Sequence, residues 1–156
     1  MFHNVSPTRF RAVFADARDE SDQIREATSG FEHVDGTLYY STDDERSGFA
    51  VRADGELVYV FSLERGRGDA IVAEAIKRGA TYLDCFAGYL WTLYARHGFR
   101  PCKVVPNWTP GGPDVVYMAL NGFESRHGVE RVHTPGCRAS AVSTPETCTN
   151  PWCVAS

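Results

Sequence analysis

Residues 56–79 read ELVYVFSLERGRGDAIVAEAIKRG, and three kinds of local structure follow one another in those letters. Glu56 to Ser62 is rich in β-branched and aromatic residues, the composition of a strand. Leu63-Glu64-Arg65-Gly66-Arg67-Gly68 interrupts it with two glycines and two arginines. From about Asp69 to Arg78, Ala70, Ile71, Ala73, Ala75 and Ile76 supply helix formers and an apolar face, and Gly79 ends the run. The helix is expected to act as a crossover between two neighbouring strands.

Working toward the N-terminus, Gly48 to Arg52 (GFAVR) and Glu56 to Ser62 flank Ala53-Asp54-Gly55, which predicts a hairpin because its turn needs residues tolerant of positive φ. Thr37 to Ser41 predicts another strand. Before it, Ser6 suits an N-cap and Pro7 the first helical position, and Phe10, Val13, Phe14 and Ala17 follow an i, i+3, i+4, i+7 stripe. A second helix is expected from Asp22 to Thr28, with Gly30 near its end. Toward the C-terminus come a strand from Thr81 to Cys85, a helix from about Gly88 to His97 closed by Gly98, and strands at Pro101–Val105 and Asp114–Leu120. The loop VPNWTPGGP separates those last two, and its Trp108 either lines a binding site or lids the core. The fold class is α+β.

The chain has 156 residues, with 16 Lys+Arg against 20 Asp+Glu and a formal net charge of −4. With 43% hydrophobic and 23% charged residues, it has the composition of a soluble globular domain. No apolar run approaches the ~18 residues of a membrane span, and Met1-Phe2-His3-Asn4 lacks the basic and apolar segments of a signal peptide. An acidic balance gives no indication of nucleic-acid binding. Five cysteines, an odd number without a secretory signal, point to reduced thiols and a cytoplasmic setting. Cys85 and Cys102 lie in apolar runs and read as small buried hydrophobes.

Residues 1–123 read as one domain and 124–156 as a C-terminal tail. From Thr134 to Ser156 the tail is rich in Ser, Thr and Pro, with only Arg138 and Glu146 charged, so it is expected to be extended or disordered unless something staples it. His133, Cys137, Cys148 and Cys153 offer the four soft ligands of a closed structural zinc site, although without a Cys-x2-Cys knuckle. Free thiols are the other reading.

Gly66 and Gly68 between a strand and a helix start form a recipe for holding an anion. Glycine lets the backbone approach a phosphate, free N–H groups point outward, and Arg65 and Arg67 add positive charge. Glycine needed for turn geometry alone is the bland alternative. The pattern is neither a Walker loop nor the three-glycine dinucleotide fingerprint.

About 30 residues on stands Leu93-Tyr94-Ala95-Arg96-His97-Gly98-Phe99. Together the two segments resemble the GNAT superfamily of acyl-CoA-dependent N-acyltransferases, with fair register from Gly48 to Leu120. The resemblance implies a mostly antiparallel, mixed sheet flanked by helices. It implies that the loop Leu63–Gly68 binds the pyrophosphate of acetyl-CoA and that backbone groups of about Phe61, Ser62 and Leu63 bind the pantetheine arm. Tyr94 would protonate the departing thiolate; its place four residues after Leu90, on one helical face with Leu93 and His97, equally suits a buried structural tyrosine. The residues do not identify the base, for which Asp84 and Glu64 are the nearest candidates. Leu63 departs from the family's usual Gln or Arg, and Ala87 from a frequent Asn seven residues before the tyrosine. Leu83–Leu90 and Pro113–Met118 look like small phage and prophage members. The resemblance thus implies acetyl transfer from acetyl-CoA to a primary amine of unidentified type. A GNAT-fold protein that has lost catalysis and binds a partner, such as a phage host-interaction factor, is the alternative. An aminoacyl-tRNA donor is a third reading, disfavoured by the charge.

Overall fold

A computed structural model of the chain describes residues 1–120. The segment 124–156, and with it His133, Cys137, Cys148 and Cys153, lies outside the described residues. The chain divides into two compact units, with the boundary between Ala80 and Thr81.

The first unit contains β1 (Phe2–Val5), α1 (Pro7–Glu20), α2 (Asp22–Ala27), β2 (Leu38–Thr42), β3 (Ser47–Val51), β4 (Leu57–Ser62) and α3 (Gly68–Lys77). α1 begins where the sequence places it: the Ser6 hydroxyl accepts from Arg9 N at 3.1 Å, and Pro7 is the first helical residue. Its stripe of Phe10, Val13, Phe14 and Ala17 is buried. α2 ends at Ala27, and Thr28, whose hydroxyl donates to Ile24 O at 2.6 Å, takes the cap position rather than Gly30.

The four strands form an antiparallel sheet in chain order, β1-β2-β3-β4. Tyr39, Ala50, Tyr59 and Phe61 join the α1 stripe in one core. Phe10 lies at its centre, with ring centroids of Phe14, Phe31, Tyr39, Tyr59 and Phe61 at 5.0–6.2 Å. Neighbouring positions point the other way, as the two-residue period of a strand requires. There Phe49 stacks on Tyr40 at 5.1 Å, and Ile71, Val72 and Ala75 of α3 are buried. β1 has no counterpart in the sequence reading. As an edge strand it exposes His3 and Asn4, which erases the apolar alternation that marks a half-buried strand.

β3 and β4 form the expected hairpin, but the register shifts between Gly48↔Phe61 and Ala50↔Val58. β4 therefore carries one extra residue, a bulge, and Tyr59 within it has φ 55°. Beside the bulge, where it pairs with Phe61, Gly48 is obligatory, because a Cβ there would sit 2.6 Å from Tyr40 O and 2.8 Å from the Phe61 ring.

The second unit, from Thr81, contains β5 (Tyr82–Phe86), α4 (Tyr89–Arg96), β6 (Phe99–Val105) and β7 (Val115–Leu120), with the antiparallel strand order β5-β7-β6. Its buried residues include Leu83, Cys85, Trp91, Leu93, Tyr94, Phe99, Cys102, Val116 and Met118. The two cysteines are buried free thiols, as their apolar surroundings predict.

One expectation is corrected. α3 does not connect two strands of one ladder, because β4 is an edge of the first sheet and β5 an edge of the second. β5 instead takes its ladder from β7, which returns antiparallel to it from Tyr82↔Ala119 to Phe86↔Val115. The α+β class and the antiparallel character stand.

Candidate functional site

The residues predicted to hold an anion lie in one stretch at the exit of β4. Gly66 has φ 81°, a left-handed conformation that a side chain would strain, and open space lies where its Cβ would be. Gly68 opens α3. Arg67 precedes it at the cap position without a side-chain cap, so the N–H groups of Gly68 and Ala70 have no intrahelical acceptor. Arg65 is exposed and makes no ion pair among the described residues. These are the elements of an anion-binding turn. Asp69 places a carboxylate in the same first turn.

The strand residues behave differently from one another. Phe61 is buried in the core and pairs with Gly48. Leu63 packs against that core, and its N–H donates to Arg46 O at 2.7 Å. Antiparallel ladders alternate the edge to which main-chain groups point, so Ser62, next to Leu63, turns its own N–H and C=O away from β3. Its hydroxyl is engaged with Ser47 Oγ at 2.9 Å and donates to Glu64 O at 2.6 Å.

Arg67 is not the open cation that its place in the loop suggests. Its guanidinium forms a two-pronged pair with Asp44, Nη1 to Oδ1 at 3.1 Å and Nη2 to Oδ2 at 2.7 Å, and Nη1 also reaches Ser47 Oγ at 3.2 Å. Asp44 accepts further bonds from Thr42 Oγ1 at 2.6 Å and Arg46 N at 3.1 Å. Its carboxyl is held well below the usual carboxylate range, first by the hydrogen bond from Arg67, then by those from Thr42 and Arg46 N. A cavity of about 370 Å³ beside Arg67 and Ala70 is lined also by Met1, Phe2, Thr42, Asp43 and Asp44, and the Met1 amine lies 3.8 Å from Asp43 Oδ2.

Thr42, Asp44 and Ser47 were not anticipated from sequence. The run Asp43-Asp44-Glu45-Arg46 was the available signal, but nothing local says that Asp44 meets a residue 23 positions away. The meander from β2 through β4 brings them together. Glu64, one of the two candidate bases, spends Oε1 on Arg46 Nε at 2.5 Å.

In the second unit, Tyr94 is buried on α4 and meets Phe99 edge-on at 5.9 Å. Burial raises its phenol above the ordinary range, with the neighbouring Cys85 and Asp84 adding to the effect. Asp84 and Tyr94 therefore lie within electrostatic reach of one another. Asp84 is exposed on β5 opposite Tyr117. The Cys85 thiol is pushed up to about 12 by burial, then by the charge of Asp84, so it is an unreactive thiol. Trp108 is 76% exposed and therefore does not lid the core. Asn107 shapes its loop, donating to Pro113 O and accepting from Thr109 N, both at 2.8 Å.

No group of three or more His, Cys, Asp or Glu among the described residues could hold a metal ion, and no described helix is long and apolar enough to cross a membrane. No family profile and no curated protein sequence matches the chain. Among solved structures, a crystal structure from Klebsiella pneumoniae subsp. pneumoniae MGH 78578, described as a "putative acyl-CoA N-acyltransferase", is similar over 77% of this chain and 95% of that chain. The identity is 18% and the TM-score 0.44.

Proposed function

We propose that the chain is a GNAT-type N-acyltransferase that moves an acetyl group from acetyl-CoA to a primary amine. The observation that carries this reading is the turn after β4: Gly66 in its left-handed conformation, the uncapped first turn of α3, and exposed Arg65 beside them. Bound there, acetyl-CoA supplies an acyl group activated as a thioester. The open main-chain groups of Ser62 hold the pantetheine arm, and the N–H groups at the start of α3 hold the pyrophosphate. Tyr94, kept protonated by its burial, gives a proton to the thiolate as the amine nitrogen bonds the carbonyl carbon and the carbon–sulfur bond breaks. Asp84 takes the proton from the amine. Glu64 is the poorer base because Arg46 occupies its carboxylate.

In this reading residues 1–123 form one catalytic domain in the cytoplasm and 124–156 an appendage, in which His133, Cys137, Cys148 and Cys153 hold a structural zinc. Metal analysis of protein purified without chelator tests the zinc, and a metal-free folded preparation removes it. Calorimetry tests the main reading: acetyl-CoA is expected to bind, and no heat up to about 1 mM ligand overturns it. The second reading, a GNAT-fold protein that binds a partner without catalysis, is favoured by Leu63 packed into the core and by Asp69 in the anion-binding turn. Binding of acetyl-CoA without turnover against a panel of amines would select it.

A further inference from the structure

The turn between β2 and β3 places four charged residues in succession, and each is engaged. Asp43 pairs with His3 at 3.1 Å, Glu45 with Arg9 at 2.5 Å, and Arg46 with both Glu20 at 3.3 Å and Glu64 at 2.5 Å. Asp44 alone reaches the far end of the glycine loop. From it a continuous chain of hydrogen bonds runs through Arg67 to Ser47 Oγ, across to Ser62 Oγ, and on to the main chain of Glu64. Both flanks of the loop, Ser62–Glu64 at its entry and Arg67 at its exit, are thereby tied to one carboxylate. Thr42 and Arg46 N fix that carboxylate in turn.

We propose that Asp44 is a positioning residue for coenzyme binding. It retains Arg67 as a strut, so that the loop meets the pyrophosphate with main-chain N–H groups and Arg65 while Arg67 stays on Asp44. The proposal rests on the acyl-CoA reading and reverses the role that the sequence assigns to Arg67. A two-pronged guanidinium–carboxylate pair fixes orientation as well as distance. A loop held open in its binding shape spares the ligand the cost of ordering it. The competing arrangement, in which Arg67 leaves Asp44 to grip phosphate, makes Asp44 an internal competitor, and the two differ in the sign of one measurement.

Coenzyme A binding is measured by calorimetry for the full chain and for Asp44→Asn, Arg67→Ala, their double variant, and Asp43→Asn. Asp43→Asn removes a neighbouring charge without touching the strut. Asp44→Asn and Arg67→Ala are each expected to weaken binding about tenfold, the double variant no further, and Asp43→Asn not at all. With acetyl-CoA under turnover, Asp44→Asn raises KM for the coenzyme and leaves kcat and the acceptor KM alone, a split that general destabilisation would not give. Equal or tighter coenzyme binding by Asp44→Asn overturns the proposal, as does an equal loss in Asp43→Asn. If the parent chain binds no coenzyme A, the acyl-CoA reading falls separately. The strut is then read by amide exchange at Gly66–Asp69, which Asp44→Asn must accelerate; unchanged exchange overturns it.

Discussion

Tyr59 has φ 55° in the middle of a strand, a conformation that costs an aromatic residue about 1–3 kcal/mol. Its surroundings hold it there. The ring lies 5.1 Å from Phe14 and 5.4 Å from Phe31, and the hydroxyl both accepts from Glu32 N and donates to Glu32 O at 3.0 Å. Tyr59→Phe keeps the packing and removes both hydrogen bonds to the main chain of Glu32, an exposed residue that water can serve instead, so it should lose about 0.5–1.5 kcal/mol in urea unfolding. Tyr94 poses the opposite case, a buried phenol whose value is chemical if the proposed function holds. Tyr94→Phe should cut acyl transfer by about 10²-fold or more with little change in thermal stability. An unchanged rate removes it as the acid. Sequence alone offered Tyr94 equally as a core residue, because its spacing from Leu90 puts it on an apolar helical face.

Elements with local signals were legible in the sequence. Ser6, Pro7 and the stripe from Phe10 to Ala17 set α1, and Ala53-Asp54-Gly55 set the hairpin, because caps and tight turns depend on residues a few positions apart. The bulge in β4 was not legible. Its determinants are Gly48 on one strand and the packing of Tyr59 and Phe61 beneath α1, which no short window contains. Gly48→Ala tests this at the level of the strand pair. The added Cβ meets both the main-chain oxygen of Tyr40 and the ring of Phe61, which is buried in the core, so a loss of about 1–3 kcal/mol is expected. A fall smaller than that in chemical unfolding would mean that β3 can shift away from β2.

For the molecule as a whole, the same carboxylate that positions the loop links stability to pH. Asp44 titrates in the folded chain below its value in the unfolded chain. The unfolded state therefore binds more protons in acid. The stabilisation is complete above about pH 4, the unfolded aspartate range, and is lost as pH falls from there through the depressed folded value. Urea unfolding between pH 7 and 2 should show a shallower decline for Asp44→Asn than for the parent chain. Parallel curves would mean that the pair with Arg67 adds nothing to folding, as many exposed pairs do. The division after Ala80 belongs to this scale too. β4 and β5 fall into separate sheets although α3 leads from one to the other, and a helix between two strand patterns predicts a crossover without saying what each strand pairs with.

The amino-acid sequence by itself determined the types and order of the elements from α1 onward, the apolar faces, and the glycine loop between a strand and a helix start. These rest on periodicity, capping and backbone freedom within a few residues. Tertiary structure decided which cation of that loop is available. Arg65 and Arg67 are indistinguishable as letters, but the meander of β2, β3 and β4 sets Asp44 across from Arg67 alone. A guanidinium satisfied on both prongs is a strut rather than an open ligand, and only the folded chain makes that pairing.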